Sequence, residues 1–541
     1  MRPAACNVLM IHPLFSPHSF WNYKATCEVA GARYSATPLG LITLAALLPS
    51  EWNIRLIDCN TEELDPADFA WADLVMTGGM LPQQRDILRL IELAHTHDKP
   101  VVVGGPAVTS SPQVYEDADF KVFGEAEEII GEFIAAWRAG ATEGTFVAQG
   151  YPDITRSPVP RFDLLKFRHY MHVGIQLSRG CPFTCEFCDI IELYGRKPRV
   201  KTAEQMVAEL DALRDLGYRG HVDFVDDNLI GNKRVMKPLL VALAEWNVTH
   251  NYPFEFSTEA SINVAEDDEL LDLMKRANFF AIFVGIESPD TETLIQTSKR
   301  QNTRRDIVES IQKIYRAGIF VNAGFIIGFD AEKGSIAEGM IGCIDDTAIP
   351  VAMVGLLYAL PNTGLHRRLI AEGRLHPGSD LVENDSVADQ CTSGLNFDTR
   401  RPRHEMLRDY RTVLRRIYAP GAFFARVARM AGQLDLSEHR VTRPFRHTLR
   451  DVRVFRLVTW RSGILSRDVR GPFWRAVVSC LARNPRAVRV VFAQAALFLH
   501  FLPYSRFMDA QLTARIDGLA EATRPAPAAL ARVALDNAAS G

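Results

Sequence analysis

Eleven residues constrain this chain more than any others: Ser178-Arg179-Gly180-Cys181-Pro182-Phe183-Thr184-Cys185-Glu186-Phe187-Cys188. They hold three cysteines in a Cys-x3-Cys-x2-Cys run, directly after an apolar, strand-like segment from Val173 to Leu177. Thiolates at this density suit a soft metal or an iron–sulfur cluster. The fourth ligand is missing. A structural zinc site is normally closed by four ligands, whereas an iron with an open position holds a substrate or cofactor. The competing readings are a zinc knuckle short of one ligand and half of a ferredoxin-like site. No fourth cysteine lies nearby to complete either.

Residues 1–150 alternate short apolar runs with helix-like segments. The runs are Asn7–His12, Ile54–Asp58, Leu74–Thr77, Val101–Gly104 and Phe120–Phe123, and Leu39–Leu48, Arg85–His97 and Ala126–Trp137 carry apolar residues at helical spacing. Five buried strands alternating with helices predict an open, doubly wound parallel sheet. Ligands of such sheets sit outside the carboxyl ends of the strands. The glycines fall there, in Thr77-Gly78-Gly79, Gly104-Gly105-Pro106 and Gly124-Glu125. A Rossmann dinucleotide site fits poorly, because no G-x-G-x-x-G follows the first strand.

Residues 139–165 are punctuated by Gly140, Gly144, Gly150, Pro152, Pro158 and Pro160, and read as a domain connection. Alternation then resumes. Strands are predicted at Val173–Ser178, His221–Val225, Phe254–Thr258, Ala281–Gly285, Val321–Ile327 and Met353–Tyr358, with helices over Thr202–Leu216 and Val235–Trp246. Six βα units are enough for an open partial barrel, with its chemistry at the carboxyl ends of the strands.

From about residue 393 the alternation stops, and helical periodicity appears in Met406–Ile417, Phe423–Met430 and Val488–Phe501. Residues 401–510 hold 22 Arg, no Lys and seven Asp plus Glu, a net +15 in a chain whose total is −4. Such a split points to a region with its own partner or surface. Helices packed on the barrel with a solvated Arg face are one reading, and a membrane-surface or lipid-handling region is a second. Nucleic-acid binding rests on charge alone and is not expected. The longest uncharged tail run, Val490 to Ser505, contains Gln494, His500 and Pro503 and is shorter than the roughly 18–20 apolar residues that cross a bilayer. Beyond Thr523 the chain is rich in Ala and Pro.

The other six cysteines (Cys6, Cys27, Cys59, Cys343, Cys391, Cys480) have no framework spacing, which fits a reducing compartment. The N-terminus runs into an apolar strand interrupted by Pro13 and lacks a small-residue cleavage site, so no signal peptide is read. A cytoplasmic protein is expected, with peripheral contact at the inner membrane surface through the tail.

Taken together, Cys181, Cys185 and Cys188 with Phe187 resemble the signature of the radical S-adenosylmethionine (SAM) enzymes. In that family three cysteines bind three irons of a 4Fe–4S cluster and SAM chelates the fourth. The resemblance implies further SAM contacts: Asp226 and Asp227 in Val225-Asp226-Asp227-Asn228 for the methionyl amino group, and Glu287 for the ribose. Gly324 and Ile326, in Gly-x-Ile-x-Gly, would contact the adenine. The usual downstream glutamate of that motif is replaced by Ala331, with Glu332 one place later. Leu360-Pro361-Asn362-Thr363-Gly364 resembles the segment after the sixth strand. Upstream, the first region resembles the cobalamin-binding domain found before many radical SAM cores. It implies contacts from Pro38, Leu39, Thr77, Gly78, Gly104, Gly105, Pro106, Gly124 and Glu125. The Asp-x-His-x-x-Gly motif that supplies a lower axial histidine is absent, so His12 and His18 read as packing or surface histidines and no histidine is expected on the cobalt.

The resemblance divides the chain into a cobalamin-binding domain (1–150), a linker (151–166), a radical SAM core (167–392) and a helical extension (393–541). The extension, with Tyr410 and Tyr418-Ala419-Pro420, is similar to that of the branch holding the hopanoid C-2 methylases. A methyltransferase is therefore expected. It would act through a 5′-deoxyadenosyl radical and methylcobalamin on an unactivated carbon of a small or lipid-like substrate, with electrons from a flavodoxin- or ferredoxin-type donor. A cobalamin-dependent enzyme that forms or oxidises a ring carries the same motifs. A non-catalytic cluster protein predicts a closed cluster and no SAM cleavage. Cys343 and Cys391 are candidate hydrogen donors, although buried structural cysteines are the commoner case.

Overall fold

The structure, a computed structural model, describes residues 2–16, 18–378, 394–442 and 445–522. Cys391 and the expected boundary at 392–393 lie outside these residues. The first sheet comprises β1 (Asn7–His12), β2 (Asn53–Asp58), β3 (Leu74–Gly78), β4 (Val101–Gly104), β5 (Phe120–Phe123) and β6 (Gly144–Val147). Its order is β2-β1-β3-β4-β5-β6 and every pairing is parallel. The apolar strands fit that arrangement, since a parallel sheet is covered on both faces. Two cores flank it. Five strands were expected and six are present. β6 lies in the stretch read as an irregular connection. It is a four-residue edge strand exposed on alternate residues, too short and half-polar to stand out.

The second sheet holds β7 (Val173–Ile175), β10 (Gly220–Phe224), β11 (Phe254–Glu259), β12 (Phe279–Glu287), β13 (Phe320–Ile327) and β14 (Ala352–Leu356). They pair in that order, all parallel, as an open six-stranded arc, the partial barrel expected. Between β7 and β10 the chain forms a small antiparallel ribbon of β8 (Ser178–Arg179) and β9 (Arg199–Val200) around the cysteine loop. Helix Ala203–Asp215 starts at a capping box, Thr202 with Gln205, and helix Lys233–Thr249 at Asn232.

The tail is helical over Arg403–Ile417, Pro420–Gln433, Phe445–Val458, Arg467–Arg483 and Val488–Ala522, with a π-helical turn at Thr459–Leu465. The last helix runs through Pro503, whereas periodicity indicated only Val488–Phe501. By length and composition Pro485–Leu519 is sufficient to cross a membrane, a correction to the shorter uncharged run counted from the sequence. However, 56% of its apolar window is buried. Val491, Ala495, Phe498, Phe501, Met508 and Leu512 form an inward stripe. It is a core helix of this fold.

Residues 13–38 are the part no periodicity announced. They leave β1, cross to the last helix and return to the sheet. Phe20 packs on Tyr504 (4.5 Å between centroids), His500 Nε2 lies 3.1 Å from the Ser19 carbonyl, and Thr26 Oγ1 donates to Ala496 O at 3.0 Å. Phe15, Phe20, Val29 and Tyr34 thereby join the one large core shared by the barrel and the tail.

Candidate active site

The cysteine loop is built from β8 outward. Gly180 adopts φ +91°, and a Cβ there would lie 2.8 Å from Gly195 O, so only glycine fits the turn. Asp226, at the end of β10, is buried and accepts from Leu177 N (3.0 Å), Ser178 N and Ser178 Oγ (2.5 Å). Its carboxyl fixes the strand that presents the cysteines. Asp227 accepts from Gly180 N at 3.2 Å. Farther along, Glu186 N donates to Thr297 O, and the Glu186 carboxylate pairs with Arg368 (2.5 Å), which also holds Asp330 (2.8 Å).

Cys181, Cys185 and Cys188 are all free thiols on this one loop. Asn228 Nδ2 points at Cys181 Sγ (3.9 Å) and Gln301 Nε2 at Cys185 Sγ (3.7 Å). Amides aimed at sulfur are what a cluster's thiolates use to spread their charge. Burial raises all three thiols, and the Lys299 ammonium opposes it at Cys185 and Cys188. Among the described residues no group of three His, Cys, Asp or Glu side chains has the arrangement to hold a single metal ion. A cluster does not ask for one, because each thiolate takes a different iron. The loop fits a three-cysteine cluster.

Glu287 closes β12 at a register shift after Gly285, with φ +66°, and bonds Lys299 Nζ at 2.5 Å. Gly285 pairs with Gly324 across β12 and β13, leaving a bare strip of backbone beside the Glu287 carboxylate. Ile326 lies one inward position farther along β13. Phe187 sits 5.6 Å from Phe329, with Lys299 Nζ 5.8 Å over its ring. Phe187, Phe329 and Leu357 line a cavity of about 330 Å³. Glu332, one place off the motif, takes the backbone N–H groups of Gly328 (2.8 Å) and Phe329 (3.1 Å) and pairs with Arg401. The displaced glutamate therefore still holds the loop after β13.

The inner faces of β10 and β11 carry His221, Asp223, Ser257 and Glu259. His221 Nε2 lies 2.6 Å from Ser257 Oγ, which donates to Asp223, and the His172 ring is 4.9 Å from that of His221. Trp21 and Tyr23 of the 13–38 segment close this chamber, Trp21 at 5.5 Å from Phe283. Glu259, the last residue of β11, has its side chain exposed. Partial desolvation and the neighbouring Asp223, Asp227 and Glu287 carboxylates raise its pKa. Burial holds Asp227 at about 6 and Asp226 at about 7. Carboxylates crowded around one chamber repel each other, and a ligand bearing ammonium and sulfonium charge relieves that repulsion. The chamber fits SAM.

A pH dependence follows. Each of these carboxyls has a folded pKa above its unfolded value of roughly 4, so its stabilising contribution is full below pH 4 and is lost as pH rises through the folded value. Without ligand, melting temperature is expected to fall between pH 4 and pH 7, and in Asp226→Asn that fall is reduced. Calorimetry across that range measures it. An unchanged profile in the variant would mean that Asp226 is already ionised in the folded protein below pH 7.

The loops that follow the strands of the first sheet meet the barrel and the cysteine ribbon. Gly174 N on β7 donates to Thr37 Oγ1 (3.0 Å), which sets Pro38 and Leu39 against the barrel rim. Asn362 Nδ2 donates to Ser110 O at 2.9 Å. A Cβ on Gly78 would lie 2.2 Å from Gly104 O, so β3 and β4 close without side chains there. Gly105 (φ +91°) then turns the chain into helix Pro106–Ser110. Thr77 Oγ1 is bonded to Ile11 O. Gly124 has φ +95°, and the Glu125 carboxylate after it is clamped by Arg179 (2.6 Å) and Arg199 (2.6 Å), while Arg179 also takes Glu127 (2.7 Å). Glu125 therefore joins the two sheets at the cysteine ribbon. His12 lies 3.1 Å from Asp58 through Nδ1 and 3.1 Å from the Gln83 amide through Nε2, and His18 stacks on Phe507 at 4.1 Å. His12 is thus engaged at both ring nitrogens, and His18 is stacked on the last helix. Beside Pro38 and Leu39, an added Cβ on Gly40 would meet nothing within 4 Å. Gly40 lies in the helix Leu39–Leu47, and the strand-end glycines leave backbone bare of side chains, which fits a broad planar ligand such as a corrin.

Sequence reasoning missed Asn228, Glu259, Lys299 and Gln301, the Arg179/Arg199 clamp, and Trp21 with Tyr23. For Glu259 a signal existed. In Phe254-Glu-Phe-Ser-Thr-Glu259 the polar residues recur at period two opposite Phe254 and Phe256, a polar inner face.

Comparison with known proteins divides the chain as the fold does. A B12 binding domain matches residues 26–134, the radical SAM superfamily 175–338, and a domain of unknown function (DUF4070) 363–514. An uncharacterized methyltransferase of Synechocystis is 41% identical over 93% of both chains. The hopanoid C-2 methylase of Rhodopseudomonas palustris is 35% identical, covering 83% of this chain and 84% of its own. Among solved structures, the cobalamin-dependent SAM radical enzyme OxsB, with aqua-cobalamin and SAM bound, superimposes with TM-score 0.59 at 14% identity, over 95% of this chain and 81% of its own. The radical SAM methyltransferase TsrM of Kitasatospora setae, with cobalamin and a 4Fe–4S cluster, gives 0.55 at 17%, over 72% and 78%.

Proposed function

The chain belongs to the cobalamin-binding radical SAM enzymes, and from that premise we propose that it methylates an unactivated carbon of a hopanoid-like lipid. It is a radical SAM methyltransferase that uses a 4Fe–4S cluster, SAM and cobalamin, acts on a small-molecule or lipid substrate and needs a reductant. The observation that carries the reading is the convergence of both sets of strand ends on the cysteine loop, held by Glu125 between Arg179 and Arg199.

When bound, the cluster and SAM supply a hydrogen-abstracting 5′-deoxyadenosyl radical, and cobalamin supplies the carried methyl group. Cys181, Cys185 and Cys188 would hold the cluster. Asp227, Glu287, the Gly324–Ile326 strand and Phe187 would hold SAM, with Glu259 opposite them. Asp226 acts one step back by fixing Leu177 and Ser178. Pro38, Leu39, Thr77, Gly78, Gly104, Gly105, Pro106 and Gly124 would bear the corrin, with Glu125 locking that sheet to the ribbon. Trp21, Tyr23 and Phe283 shield the chamber from water, which a carbon radical requires. Electrons come from a flavodoxin- or ferredoxin-type donor in the cytoplasm, and the tail makes peripheral contact with the inner membrane surface.

The test is anaerobic reconstitution with hydroxocobalamin, a reductant, SAM and a hopanoid-containing lipid extract, followed by product analysis. Both 5′-deoxyadenosine and S-adenosylhomocysteine are expected. Deoxyadenosine alone, with cobalamin bound, would replace methyl transfer by ring formation or oxidation.

A further inference from the structure

Large apolar side chains are exposed singly over most of the molecule, but not between residues 450 and 486. There they gather. Val452 and Phe455 stand out on helix Phe445–Val458. Trp460 (53% exposed), Ile464 and Leu465 (58%) project from the π-helical turn. Trp474, Val478 (62%) and Leu481, spaced at i, i+4 and i+7, form the outer stripe of helix Arg467–Arg483, whose opposite face buries Phe473, Val477 and Cys480. The last two groups are contiguous: Trp474 Nε1 donates to Gly463 O at 3.0 Å, and a Cβ on Gly463 would lie 3.1 Å from that ring nitrogen. An aromatic and aliphatic surface of this extent marks an interaction site.

Its charge selects the partner. The same 37 residues contain nine Arg, no Lys and two Asp. Arg453, Arg456, Arg467, Arg470 and Arg475 are exposed among the apolar groups. A second copy of the chain would set this cationic surface against itself. Nucleic acid would answer the charge but leave Ile464, Leu465 and Val478 in water. An anionic bilayer answers both, with guanidinium groups at the phosphates, Trp at the interface and aliphatic tips among the acyl chains.

We infer that the turn Thr459–Leu465 and its two flanking helices form a docking face for an anionic lipid surface. The face lies one element from the chamber. Helix Phe445–Val458 packs on helix Lys24–Ala30, and a Cβ on Gly31 would lie 3.5 Å from Arg453 Nη1. The segment leading into that helix carries Trp21 and Tyr23 into the chamber wall. The docking face deepens the reading that the tail contacts the membrane and rests on it, and delivery of substrate along this route rests in addition on the lipid-substrate reading.

The experiment is flotation of the full-length, cofactor-loaded protein with phosphatidylglycerol-containing and pure phosphatidylcholine vesicles, together with light scattering on the free protein. Binding to the anionic vesicles is expected to exceed that to the neutral ones by at least tenfold and to fall with salt. Ile464→Glu/Leu465→Glu should lose it tenfold or more while still cleaving SAM. Absence of anionic-vesicle binding, equal binding by the double variant, or a dimer that the variant dissolves would overturn the assignment. Because flotation needs no turnover, failed docking and failed methylation are separately visible.

Discussion

Serine in place of Cys185 is expected to leave a folded protein that holds no intact cluster and cleaves no SAM. Cys185 lies in the loop between β8 and β9, outside both six-stranded sheets. Its removal deletes one of the three proposed cluster ligands. With three irons to hold and one thiolate gone, the loss should exceed the roughly 10–100-fold that an outer-sphere change causes. Iron and sulfide content, the absorbance near 400 nm and 5′-deoxyadenosine formation are the readouts, with circular dichroism to show that the chain still folds. Gln301→Ala provides the contrast: it keeps all three ligands and loses only the amide directed at Cys185 Sγ, so the cluster should assemble and be harder to reduce. An intact cluster in Cys185→Ser would contradict the assignment of the loop.

The largest effect on stability is expected at Arg426. This side chain is 1% exposed, in helix Pro420–Gln433. It donates to Ile349 O (2.8 Å), Asp345 Oδ1 (2.9 Å) and Ile417 O. It thus ties the tail to the helix and loop that precede β14. Burial lowers its pKa, and Asp345 opposes the shift. Truncation to Ala would leave the Ile349 and Ile417 carbonyls without their donor beside a new cavity, while the 41% exposed Asp345 carboxylate turns to water. A buried acceptor left unsatisfied costs about 1–3 kcal/mol, a large share of the 5–15 kcal/mol that holds a typical domain together. Arg426→Lys keeps the charge and loses the fork, so it should fall between. Chemical unfolding followed by tryptophan fluorescence is the measurement. A loss below about 1 kcal/mol would mean that the tail is held by its apolar contacts alone.

Much of this architecture was legible in the chain. β1, β4 and β5 stand where the apolar runs were read, and the barrel strands shift by one to three residues, because covered parallel strands are continuous apolar runs. The cysteine loop was legible because its chemistry is compressed into eight residues. What stayed hidden depends on distance along the chain. Lys299 reaches Glu287 and the cysteines through a loop with no periodicity. Arg179 and Arg199 look like surface arginines until Glu125, more than fifty residues away, closes on them. Residues 13–38 carry no repeat, since their aromatic residues are spaced to meet the last helix rather than a strand or helix of their own. β6 was hidden because an edge strand needs only half an apolar face.

The most direct test of the central claim is the origin of the transferred methyl group. Protein loaded with trideuteriomethyl-cobalamin, its cluster reduced, is given unlabelled SAM and a hopanoid-containing lipid extract, and the lipid is examined by mass spectrometry after one turnover. The first product is expected to be three mass units heavier than the ordinary methylated lipid, with unlabelled methyl appearing only in later turnovers. An unlabelled methyl group in the first product would contradict it.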